Sequence, residues 1–217
     1  MPAPVVNVVC LGSSAGGLSA LKEFFTRIAP DSGRAFVVIQ HLQADGPNLT
    51  QQILSRLTSM VVITSMDGLN VLPNHVYTIP SGMQMTIADG RLGVSPRIET
   101  GARHHPFDRF LKSLAIDCGE RATAVVLSGY DGDGSEGFVA IKAHGGITYA
   151  QDGTASVGEM PASAMKTGCV DHVLNVEQIA DHLSLPLVLQ ESSATSVGTT
   201  KRRPSNPQAP RKPGADP

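Results

Sequence analysis

"VVCLGSSAGGLSALKEFF", residues 8–25, decides the fold. Val8, Val9, Cys10 and Leu11 form a continuous apolar run, the pattern of a strand buried on both faces. The run stops at Gly12, two serines and an Ala-Gly-Gly turn follow, and then Leu18, Leu21, Phe24 and Phe25 recur at helical spacing. A second apolar, β-branched run at residues 35–40 completes a βαβ unit. The open question is what two serines do where a strand hands over to a helix.

Working outward, the alternation continues. The pattern predicts helices at residues 48–59, 105–117, 137–144, 163–167 and 176–183, with strands at 61–64, 123–127, 147–150 and 173–174. The segments "HVYTIP" and "MQMTIA", with the Asp-Gly turn of "ADGRL", break the pattern and read as an antiparallel β-hairpin inserted at the sheet edge. The expected fold is α/β: a doubly wound, mostly parallel sheet with helices on both faces and a β-hairpin insertion. Residues 1–189 form the domain. Residues 190–217 are rich in Ser, Pro, Lys and Arg, contain no aromatic residue, and are expected to be a disordered basic tail.

Composition narrows the function classes. The 217 residues carry a net charge of −2, split into +3 on the tail and −5 on the body, so the body is a poor binder of nucleic-acid phosphates. Three cysteines without paired spacing read as free thiols in a reducing compartment. No signal peptide or long apolar run is seen, and the expected location is cytoplasmic.

In an open α/β sheet, ligands bind beyond the carboxyl ends of the strands. Three such ends carry reactive side chains: Gly12-Ser13-Ser14-Ala15-Gly16-Gly17, then Gln40-His41, then Ser128-Gly129-Tyr130-Asp131-Gly132-Asp133-Gly134. A serine in a glycine-rich turn beside the free N–H groups of a helix start suits nucleophilic attack, a histidine suits proton transfer, and an aspartate suits orienting that histidine. Spacing leaves the choice open between Ser13 and Ser14, between Asp131 and Asp133, and among seven histidines. Each motif also has a plainer reading, as a tight turn, a strand-end histidine or an N-cap. The adjacent His104 and His105, with Asp108, form a weak metal pattern and read better as helix-flanking or capping residues.

With these residues in hand, the chain resembles the methylesterase domain of CheB, the chemotaxis receptor-demethylating enzyme, and in particular the form fused to a methyltransferase in CheB/CheR hybrids. The matching segments include "GSSAGGLSAL", "FVVIQHL", "HPFDRFLKSLA", "GERATAVVLSGYDGDGSEG" and "MPASAMKTGCVDHVL". The resemblance implies Ser14 as nucleophile, His41 as base, Asp133 as its orienting carboxylate, and the backbone N–H groups of Ala15 and Tyr130 as oxyanion donors. It implies no cofactor and no metal. The implied activity is demethylation of γ-glutamyl methyl esters on a methylated chemoreceptor or related helical signalling protein, with glutamine deamidation as a second activity. A separate receiver or methyltransferase protein is a further partner, since neither domain is recognised within these residues. One departure stands out: Tyr130-Asp131 replaces a small or apolar residue followed by glycine. The alternative reading is a receptor-binding module in which this altered loop has disabled catalysis; a metal-dependent hydrolase using His41, His104, Asp131 and Asp133 is the third.

Overall fold

A computed structural model describes residues 6–40, 49–97 and 104–185. The first strand, β1 (Asn7–Ser13), is central because both of its faces are apolar. Val8 and Cys10 pack into one core, and Val9 and Leu11 into the other. β1 pairs in parallel with β2 (Arg34–Gln40) on one side and with β8 (Ala122–Val126) on the other. Beyond β2 lie β5 (His75–Thr78) and then β3 (Val61–Thr64); beyond β8 lie β9 (Ile147–Gln151) and then β10 (His172–Leu174). All of these pairings are parallel, so every strand delivers its carboxyl end to one rim.

Helices cover both faces. α1 (Gly17–Arg27), α2 (Thr50–Leu54) and α6 (Val176–Ser184) bury Leu21, Phe24, Phe25, Leu54 and Ile179 on one face. α3 (Pro106–Cys118), α4 (Ser135–Ala143) and α5 (Glu159–Lys166) bury Phe107, Phe110, Phe138 and Met160 on the other. This is the doubly wound, mostly parallel sheet expected from the alternating pattern. α5 starts at Glu159, earlier than expected, because Pro161 sits in the first turn, where its missing N–H costs nothing. α2 ends at Leu54, well before residue 59.

The insertion differs in one respect. The hairpin pairs β6 (Met83–Ala88) with β7 (Arg91–Pro96) across the Asp89-Gly90 turn, and β4 (Leu69–Asn70) adds a third antiparallel strand. "HVYT", expected within the insertion, is instead β5 of the main sheet. Its Val76, Tyr77 and Thr78 are all buried, so it has the two-sided burial of a parallel strand. The small sheet packs Met85, Ile87 and Leu92 into the α3 core, and two backbone donors tie it to α3: Ile87 N–H to Ser113 Oγ at 3.0 Å and Gly90 N–H to Asp117 Oδ2 at 3.2 Å.

Among the described residues no helix is long and apolar enough to cross a membrane. The proposed basic tail at 190–217 and the base candidate His41 lie outside the described residues.

Phe107 sets the floor of the rim. A Cβ placed on Gly12 would fall 2.2 Å from its ring, and one on Gly134 would fall 2.4 Å from it. The ring is wholly buried and has no room to yield. Gly12→Ala is therefore expected to lower stability by about 1–3 kcal/mol, read as a shifted urea midpoint. Gly153→Ala, whose added methyl would meet open space, is the control; equal midpoints for the two variants would refute the packing argument.

Candidate functional site

The strand order reverses between β1 and β8: from β1 the chain winds outward through β2, and from β8 it winds outward the other way. That reversal, above the two strands, is the place where open α/β sheets bind ligands. The two loops that flank it are residues 13–17 and 127–134.

The nucleophile candidates are separated by exposure. Ser13 ends β1, is 0% exposed, and its hydroxyl has no hydrogen-bond partner among the described residues. Ser14 is half-buried at the rim. Its backbone N–H donates to Ser128 O at 3.0 Å, and its carbonyl accepts from Gly17 N–H at 3.0 Å, which turns the chain into α1. Gly16 makes that turn with φ +73°, and any side chain there would strike the hydroxyls of Ser156 and Ser128. Neither Ala15 N–H nor Tyr130 N–H donates to an acceptor among the described residues. Gln40, the residue before His41, lies in register opposite Ser13, the residue before Ser14.

Ser128 fastens the two sides together. Its hydroxyl donates to Ala15 O at 2.8 Å, accepts from Val157 N–H at 3.0 Å, and lies 2.9 Å from Ser156 Oγ. Its own N–H donates to the Gln151 side chain at the end of β9, at 3.0 Å. Ser128→Ala removes the partner of a part-buried carbonyl and a part-buried N–H, and the expected loss is about 1 kcal/mol of stability. An unchanged thermal midpoint would remove this residue from the framework of the site.

The aspartates occupy unexpected places. Asp133 is 1% exposed, and its carboxylate accepts from Phe107 N–H at 3.0 Å and from Asp108 N–H at 2.9 Å. It therefore caps α3, a helix distant in sequence, and not α4, the helix that follows it. Asp108, in the first turn of α3, returns the arrangement by accepting from Gly137 N–H of α4 at 2.7 Å. Two helix N-termini thus meet over two buried carboxylates, and their unsatisfied N–H groups and positive ends explain why such a pair is tolerated. Burial, with the nearby charges of Asp133 and Glu136, still holds the Asp108 carboxyl above its usual range, against the pull of Gly137 N–H and His105. His105 stands at the N-cap of α3, yet its side chain makes no capping hydrogen bond. Asp133 does that work.

Tyr130 and Asp131 complete the rim. The Tyr130 side chain is 55% exposed. Asp131 has φ +69°, a left-handed conformation that suits glycine, and its Oδ1 accepts Asp133 N–H at 2.8 Å. Aspartate tolerates this conformation because its short side chain can bond the backbone two residues on. The Tyr-Asp departure therefore keeps the turn that a glycine would make.

Sequence reasoning named Asp108 and Ser128 but missed their roles, the first at the junction of α3 and α4 and the second between the two rim loops. An acidic residue directly after His105-Pro106-Phe107 was a usable signal for the first, because carboxylates favour a helix's first turn. Nothing in the sequence signals the second, since its partners come from two distant loops. His105, Asp108 and Asp133 each offer a donor atom within 4.8 Å of the others, which makes them the one set among the described residues with the spacing of a metal site.

The comparisons agree with this geometry. Residues 9–183 match the family model described as CheB methylesterase. A protein-glutamate methylesterase/protein-glutamine glutaminase 1 of Albidiferax ferrireducens is 33% identical over 197 residues, which covers 87% of this chain and 51% of that protein. One of Bordetella avium, numbered 2, is 34% identical over 184 residues, with 82% and 52% covered. This chain spans about half the length of those relatives. The crystal structure of the Thermotoga maritima CheB methylesterase catalytic domain superposes with a TM-score of 0.72 at 26% identity, covering 82% of this chain and 97% of that one. A seven-stranded sheet with its reactive rim at the β1/β8 reversal, matched from residue 9 to residue 183, makes this chain a member of the CheB methylesterase family.

Proposed function

We propose that the chain is a serine esterase that hydrolyses γ-glutamyl methyl esters on a methylated chemoreceptor or a related helical signalling protein, releasing methanol. What supports this reading is a half-buried Ser14 at the start of α1, on the same strand-end rim as the loop that carries the buried, doubly hydrogen-bonded carboxylate of Asp133. The exposure of Ser14 favours it over Ser13, whose hydroxyl a substrate cannot reach.

Ser14 Oγ attacks the ester carbonyl while His41 takes its proton, and Asp133 orients and charge-stabilises His41. The N–H groups of Ala15 and Tyr130 hold the developing oxyanion. The C–O bond to the methoxy group then breaks, and methanol leaves with the proton from His41. Water, deprotonated by His41, repeats the attack on the acyl-enzyme, regenerating Ser14 and a glutamate. Glutamine passes through the same acyl intermediate with ammonia leaving, which makes deamidation the second activity. None of these steps calls on a cofactor. The glycine-like turn at Asp131 supports this reading over the binding-only one, because the loop assigned the Tyr130 donor keeps a turn that glycine would make.

The test is methanol release from receptor-bearing membranes labelled at their methyl esters, run beside fluorophosphonate labelling of the protein. Release together with modification at Ser14 is expected. A folded protein that neither releases methanol nor takes the label is a binding module, and the esterase reading fails.

A further inference from the structure

His105 takes no part in the steps above. Its ring is 39% exposed at the side chain, yet Nδ1 is turned inward, shielded from solvent and without a hydrogen-bond partner among the described residues. That nitrogen lies 3.6 Å from Asp133 Oδ1 and 3.8 Å from Asp108 Oδ2. A bare lone pair aimed between two carboxylate oxygens is repulsive, whereas an N–H in the same place is attracted to both. We propose that His105 is a positioning residue, whose Nδ1–H points between the carboxylates of Asp108 and Asp133 and keeps both oriented at the junction of α3 and α4. Its bearing on catalysis rests on the esterase reading, in which Asp133 orients the base; the bridge itself does not.

The charges around His105 are few. Asp108 and Lys112 come from α3, Glu136 from α4, and Asp133 from the loop after β8. Lys112 and Glu136 pair with one another at the surface, while His105 Nδ1 and the N–H groups of Phe107, Asp108 and Gly137 face the two carboxylates. A cation among the same three donor atoms is the competing arrangement. The two helix N-termini disfavour it, because their positive ends already face the carboxylates.

The experiment follows the side-chain carboxyl carbons by 13C NMR through a pH titration of the wild type, His105→Leu and His105→Asn, with methanol release measured on the same proteins. His105→Leu removes the donor; His105→Asn returns an uncharged N–H near the Nδ1 position. In the Leu variant the Asp108 midpoint is expected to rise by about one pH unit, the effect of losing one nearby favourable charge or donor. In the Asn variant it is expected to move part of the way back. The kcat should fall about ten-fold or more in the Leu variant with KM unchanged, and recover in part in the Asn variant. Asp108 midpoints that coincide in all three folded proteins overturn the bridge, whatever the activities show. Midpoints that shift while the wild type releases no methanol support the bridge and sink the esterase reading. Zinc titrated into the wild type should leave the carboxyl signals in place; uptake of one zinc that His105→Leu abolishes overturns the proposal, because Nδ1 would then be a metal ligand.

Discussion

Ser14→Ala protein is expected to release methanol at least about 10⁴-fold more slowly than wild type, with kcat carrying the loss and KM little changed. The magnitude follows from the role: without a hydroxyl no acyl-enzyme forms, and only the oxyanion donors and substrate positioning remain. Folding should be untouched, because the backbone bonds of Ser14 to Ser128 and Gly17 survive the change. Ser13→Ala is the matched comparison. It removes a buried hydroxyl that has no partner among the described residues, so its turnover should stay near wild type. Equal turnover of Ser14→Ala and wild type would place the nucleophile elsewhere.

The second large effect belongs to Asp133→Asn. An amide in place of the carboxylate cannot stabilise a charged His41, and kcat is expected to fall by about 10³–10⁴-fold. This substitution also touches the fold, because one of the two N–H groups of Phe107 and Asp108 would face the NH₂ end of the amide. A loss of about 1–2 kcal/mol is expected for the impaired cap, measured by chemical unfolding on the same sample. The two readouts separate the roles: a stability loss with turnover intact would leave Asp133 as a cap only.

Much of this was legible in the residues. The two-sided apolar run at residues 8–11 and the helical spacing after Gly17 are enough to place β1 and α1, because burial on both faces leaves a strand few other places to sit. Chain order then brings Ser14 and Asp133 to one rim, since parallel strands share their carboxyl ends. What escaped was contact between distant segments. "HVYT" carries the same composition whether it pairs within a hairpin or in the main sheet, and only its two-sided burial decides. Asp133 precedes α4 and reads as its cap; that it caps α3 instead depends on how two helix ends meet, which no local pattern records.

The ring of Phe107 lies under Gly12 of β1 and Gly134 of the loop before α4 at once. For inheritance, this ties three positions far apart in the chain into a single unit of change. A relative that trades the ring for a smaller side chain gains room for alanine at Gly12, whereas Gly134 is held to glycine by its φ of +103° as well, and one that keeps the ring is bound to keep both. Substitutions tolerated at these positions should therefore arrive in company, and a chain assembled from segments of two relatives would be weakest where it separates them.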